Sequence, residues 1–175
     1  MTIIYPEATP SQGNIKLKAV LAITNTAAPS LATEINAATS LDLSMFVRDW
    51  NPDITSNTGT AAPRLGTRLQ LPQEGQTQLS AVEIRYVYDP QAADTTNENK
   101  AKSMLTQGLV FYIVVRKGKD AQNVAFAASQ QVEVWKFRAG RQNRTRSGDD
   151  EFSEFEISQM LFPTLVPTET SVIAA

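Results

Sequence analysis

The strongest constraint on this chain is a hydrophobic repeat of two. "NIKLKAVLAI" at 14–23 places Ile15, Leu17, Ala19, Leu21 and Ile23 on one face and Lys16 and Lys18 on the other. That alternation predicts a half-buried β-strand. "LDLSMFVRDW" at 41–50 repeats it more weakly, with Leu41, Leu43, Met45 and Val47 in phase. "LSAVEIRYVYDP" at 79–90 aligns Val82, Ile84, Tyr86 and Tyr88, sets Glu83 and Arg85 opposite, and stops at the turn signal Asp89-Pro90. "GLVFYIVVRKGKD" at 108–120 is apolar on both faces from Leu109 to Val115, which predicts a central strand. Two further strands are expected at 130–140 and 151–163, with the charged stretch between them as a hairpin loop.

A single helix is expected over "DTTNENKAKSMLTQG" at 94–108. Glu98 is spaced to close a capping box from Thr95. Ala101, Met104 and Leu105 form a narrow apolar face, and Gly108 sits where a helix-ending glycine belongs. Residues 51–78, rich in Gly, Pro, Thr and Asn, read as a long loop or hairpin; so long a loop is usually functional or folds against a partner. The ends, 1–14 and 163–175, are irregular arms that still carry apolar anchors: Ile3, Ile4 and Tyr5 at one end, Leu165, Val166, Val172 and Ile173 at the other. Together these elements predict one domain over 1–175, mainly β: a β-sandwich or barrel with one short flanking α-helix and extended terminal arms.

Composition narrows the chemistry. The 175 residues contain no cysteine and no histidine, which removes disulfides, thiolate nucleophiles, imidazole bases and His-ligated metals. The expectation is a non-enzyme with no cofactor and no metal. Net charge is -2 and the pI about 5.2, whereas a dedicated nucleic-acid binder usually carries a basic excess. No basic and apolar leader opens the chain, and no stretch has the roughly 20 apolar residues of a membrane-spanning helix. A soluble protein made in the cytoplasm is expected.

Against that background one stretch stands out. Arg138, Arg141, Arg144 and Arg146 follow one another with no acid between them, and then Asp149, Asp150, Glu151, Glu154 and Glu156 reverse the sign. The run can bind phosphate, lie solvated at a hairpin tip, or dock on acids of another copy. Adjacent blocks of opposite sign give one surface both halves of a head-to-tail contact, and arginine forks suit such contacts. "NRT" at 143–145 matches a glycosylation acceptor, but with no secretion signal the match is read as chance. The "DDEFSEFE" block lacks the spacing of a calcium loop. Trp50 and Trp135 read as core or interface anchors. Alternation turns Glu83, Arg85 and Glu133 away from the expected core.

The order and lengths of these segments resemble the major tail tube proteins of long-tailed, non-contractile (siphovirus-type) bacteriophages, particularly those of actinobacterial phages. The resemblance runs across most of the chain. It is carried by "IKLKAVLAI", "ATSLDLSMFV", the Gly/Thr/Pro hairpin region with "RLG" at 64–66, "LSAVEIRYVYDP", the short helix, "GLVFYIVVRKGKD" and "VEVWKFRAG" before the last hairpin. It implies a self-assembling structural virion protein. Inward hairpins of hexameric rings would join around a channel, and the rings would stack into a tube through which DNA passes without specific binding. It also implies contact with other tail proteins, such as the tape measure and the tail terminator, and a place in the virion tail after assembly in the host cytoplasm. The family's inner surface is generally acidic. The arginines and Asp149–Glu151 would then belong at a contact between copies, with Glu83, Arg85 and Glu133 as candidates for the channel wall. The alternatives are another β-rich virion component, such as a decoration or head–tail joining protein, or a nucleic-acid-binding β-barrel using the Arg138–Arg146 hairpin.

Overall fold

The computed structural model describes residues 8–62 and 70–175. The anchors Ile3, Ile4 and Tyr5 and the "RLG" stretch lie outside the described residues. The strands are β1 (Ile15–Val20), β2 (Leu41–Asp42), β3 (Ile54–Thr60), β4 (Pro72–Leu79), β5 (Val82–Val87), β6 (Val110–Lys117), β7 (Gln131–Arg146), β8 (Phe155–Pro163) and β9 (Thr168–Val172). The chain is mainly β. One antiparallel sheet runs β2-β1-β6-β7-β8-β5, with β9 alongside the start of β7, and β3 and β4 form a separate hairpin.

The sheet curls into a half-barrel. Its opposite edges are tied by the chain that follows β2. The Leu43 amide donates to Leu17 O on β1 (2.9 Å), the Arg48 amide to Arg85 O on β5 (3.1 Å), and the Val87 amide to Phe46 O (3.1 Å). The "LDLSMFV" segment therefore makes only a short strand. Its remaining backbone groups span the gap between two edges that would otherwise be open.

The run that is apolar on both faces lies in the interior of the sheet, between β1 and β7. Phe111, Ile113 and Val115 face the inside of the curl. They pack there with Leu17, Ala19, Val82, Ile84, Tyr86, Trp135, Phe137, Ile157 and Leu161. Val114 faces the other side, where Val20, Ile23, Ile35, Phe126, Val132, Val134 and Ile173 form a second core. Arg116 is fully buried on that side. Its Nη1 donates to Ala125 O (2.8 Å) and its Nη2 to Asp120 O (2.7 Å), and the guanidinium lies over Phe126. Those carbonyls are what let a charged side chain end an otherwise apolar strand face.

Four expectations are corrected. β1 ends at Val20, so Leu21 is exposed and Ile23 crosses to the second core. Met45 is exposed because β2 stops at Asp42. The helix, α1, is only Lys100–Met104, entered through a 3-10 turn at Asn97–Asn99, with no side-chain capping bond at its start. Asn99 instead ties the preceding loop: its Oδ1 accepts from the Asp89 amide and its Nδ2 donates to the Asp89 and Ala92 carbonyls. Finally, β7 continues to Arg146, so the arginines lie on a strand; Asp149, Asp150, Glu151 and Glu154 lie in the loop and Glu156 on β8. The expected apolar face of α1 is present, with Ala101 and Leu105 buried, and Gly108 (φ 86°) turns the chain into β6. The C-terminal stretch pairs through β9 with β7 and buries Ile173.

Candidate assembly surfaces

β7 is long enough to carry the sheet's core at one end and its charge at the other. A bulge separates the two. Ala139 pairs with Leu161 and Gln142 with Gln159, so Gly140 and Arg141 together oppose Met160. Glycine is required there: an added Cβ would stand 2.7 Å from Met160 O and 3.1 Å from a Phe162 ring carbon. The bulge resets the phase of the strand. Ala139 and Gln142 both face inward, Arg138 and Arg141 face outward, and Arg144 and Arg146 follow the inward phase beyond the core. All four arginines are exposed.

The sequence run is therefore divided by the fold. Arg138 lies in register between Val110 on β6 and Phe162 on β8. Val110, Met160 and Phe162 are exposed, and Phe162 is 48 % exposed. Lys136 adds a second charge to this outer face, its Nζ above the Tyr112 ring. Arg146 sits instead at the tip, where its Nη2 meets Asp149 Oδ1 at 2.7 Å. Among the described residues, Arg138, Arg141 and Arg144 make no ion pair.

The tip itself is built by Asp150. Its Oδ1 accepts from the Phe152 amide (3.1 Å) and the Ser153 hydroxyl (3.1 Å). These bonds hold a tight turn whose apex is Phe152, 80 % exposed between Glu151 and Ser153. Asp149, Asp150 and Glu151 are exposed around it. Glu154 turns back to Arg48, and Glu156 is buried between Arg48 Nε (3.3 Å) and Arg85 Nη1 (3.7 Å).

Glu83 and Arg85 lie together on the outer face of β5. The Ser158 hydroxyl, reinforced by Arg85, holds Glu83 below the usual carboxylate range. Glu133 lies elsewhere, on the inward phase of β7 at the rim of the curl. It accepts from Lys117 Nζ and, at 3.4 Å, from Trp135 Nε1. The fold does not bring these three residues to one face. Trp50 and Trp135 are core residues, joined with Phe137 into an aromatic cluster.

Sequence reasoning missed a buried polar group: Tyr86, Gln142 and Gln159. The Tyr86 hydroxyl donates to Gln159 Oε1 (3.0 Å), and Gln142 Nε2 donates to Tyr86 Oη (3.0 Å) and Leu105 O (3.0 Å). Gln159 Nε2 reaches Leu105 O (2.8 Å) and Gly140 O (2.9 Å). Gln159 was detectable, since it stands in phase between Ile157 and Leu161. Gln142 was not, because the bulge hides its phase.

A cleft of about 630 Å³ opens beside Trp50, lined by Asn14, Leu17, Ser44, Arg48 and Asp120 among others. Among the described residues no three His, Cys, Asp or Glu side chains converge to hold a metal ion, and no helix is long and apolar enough to cross a membrane. The exposed chemistry is that of surfaces: a basic, apolar sheet face and an acidic tip with an aromatic apex. A protein-family model described as "Phage tail tube protein" matches residues 2–175. No curated protein matches the chain.

Proposed function

The chain belongs to the phage tail tube protein family, and from that membership we propose that it forms hexameric rings that stack into a tube for DNA passage into the host. The family match over nearly the whole chain carries this reading. It makes the protein a structural component of the virion tail. Its partners are further copies of itself, with the tape measure and the tail terminator as other tail proteins that meet it. DNA passes without specific binding.

Copies meet through Arg138 and Arg141 on the outer sheet face and through Asp149, Asp150 and Glu151 at the hairpin end, with Arg144 and Arg146 beside those acids. Each exposed ion pair is worth under about 1 kcal/mol, but a cyclic ring repeats every contact, and repetition raises the total. A ring with two unlike faces stacks head to tail without closing. Glu83 and Arg85, or else Glu133, face the channel; they occupy different faces, so one group lines it and the other does not.

Negative-stain electron microscopy of the concentrated protein at moderate salt tests the reading. Hollow tubes or stacked rings are expected. A protein that stays monomeric both alone and when co-expressed with the other tail proteins overturns it.

A further inference from the structure

The hairpin tip and the outer sheet face both expose large apolar side chains, beside acids on the first and arginines on the second. We infer that the β7–β8 hairpin tip of one copy docks on the outer face of β6, β7 and β8 of a second copy, Phe152 seating against Phe162, Met160 and Val110 while Asp150 and Glu151 meet Arg138 and Arg141. The inference rests on the reading that copies of this chain associate.

Three observations carry it. First, the apex is apolar: Phe152 is 80 % exposed, and so large a ring held in water by a rigid, Asp150-capped turn is the form of an anchor residue. Second, the receiving face is apolar and basic together. Phe162 lies across Gly140, whose missing side chain leaves the ring edge open, and Val110, Arg138 and Phe162 form one row across three strands. Glu83 on the same face does not oppose the incoming acids freely, because Ser158 and Arg85 already hold its carboxylate. Third, the contact cannot be made within one copy. Arg138 and Arg146 lie on one continuous strand, so the tip stands roughly 25 Å from the row of Arg138 and Phe162, at about 3.3 Å per residue.

The tip and the face are different patches, so the contact is heterologous: each copy offers one of each and chains can grow. Docking covers the outer face beside Glu83 and leaves Glu133 as the candidate for the channel wall.

The chain has no native cysteine, which makes the test direct. In the full chain, Glu151→Cys with Arg138→Cys, which keeps both Phe152 and Phe162, should give a ladder of disulfide-linked multimers under mild oxidation. Each single variant should give at most dimers. The bond needs Cα atoms within about 7 Å, so the roughly 25 Å gap rules out an internal link. Phe152→Ser, at an exposed apex, should keep the wild-type melting temperature and raise the concentration needed for assembly at least about tenfold. Wild-type protein that assembles while the double variant gives no ladder, or Phe152→Ser that assembles like wild type, overturns the docking and leaves self-assembly standing. Wild-type protein that never associates overturns both.

Discussion

The buried polar group is where single residues weigh most. Tyr86 is completely enclosed, and burial pushes its phenol well above the ordinary tyrosine value, with the Gln142 amide opposing the shift. The folded state therefore holds this proton more tightly than the unfolded chain does. Tyr86 contributes stability that is whole below about pH 10 and is lost progressively above it. Tyr86→Phe should cost about 1–3 kcal/mol at neutral pH, because Gln159 Oε1 loses its donor in a dry site. The same variant should flatten the alkaline limb, so that the two proteins converge in stability as pH rises past about 10. Urea melts at several pH values check both points; a constant difference between the two proteins across that range would show that the phenol does not titrate in this way. Gly140 makes a separate case. Gly140→Ala forces a Cβ to within 2.7 Å of Met160 O, a backbone atom that cannot swing away. A loss of about 1–3 kcal/mol is expected, the usual cost of overpacking.

At the scale of elements, the exposed β3–β4 hairpin stands apart. Ile54 and Leu79 pack on the core, but Thr55–Thr60 and Pro72–Gln78 are exposed throughout. A lone two-stranded hairpin is marginal in water, and among its described residues this one shows no apolar face of its own. Replacing residues 56–77 by an Asn-Gly turn between Thr55 and Gln78, which are paired, should shift the melting temperature by under about 4 °C. If the hairpin serves contacts between copies, the same replacement should abolish long tubes under the electron microscope; tubes of normal length would assign it no part in assembly. This hairpin was legible only as a long polar region, because strands without an apolar face leave no period to read. β5 and β6 were legible in full, since their burial is one-sided in the first and two-sided in the second. β7 was half legible: past Gly140 its residues are polar on both faces, so alternation stops reporting the strand although the backbone ladder continues. β9 was not legible, because "TETSV" buries Ser171 by bonding its hydroxyl to Thr26 O rather than by showing an apolar stripe. The arginine run was visible in sequence. Its division into an outward pair and a tip pair was not, because one bulge decides it.

At the scale of the whole molecule, the slight net charge of -2 conceals a dipolar arrangement of patches, basic on the outer face of β7 and acidic at the hairpin tip. On the docking proposed above, such an arrangement steers copies into the head-to-tail orientation, and steering is a matter of association rate. The apolar anchor acts on the other rate. Once Phe152 is seated, leaving requires re-exposing its ring and Phe162 to water, a cost that simple salt does not lower. Raising sodium chloride from about 0.1 to about 1 M shortens the screening length from about 10 to about 3 Å. Assembly followed by light scattering should therefore slow several-fold over that range, while assemblies formed beforehand and then transferred to high salt should dissociate at a nearly unchanged rate. Ammonium sulfate should slow assembly less than sodium chloride at equal ionic strength, because it strengthens apolar burial while it screens charge. Dissociation that accelerates in step with salt would mean that the arginines and acids, rather than the aromatic apex, hold the copies together.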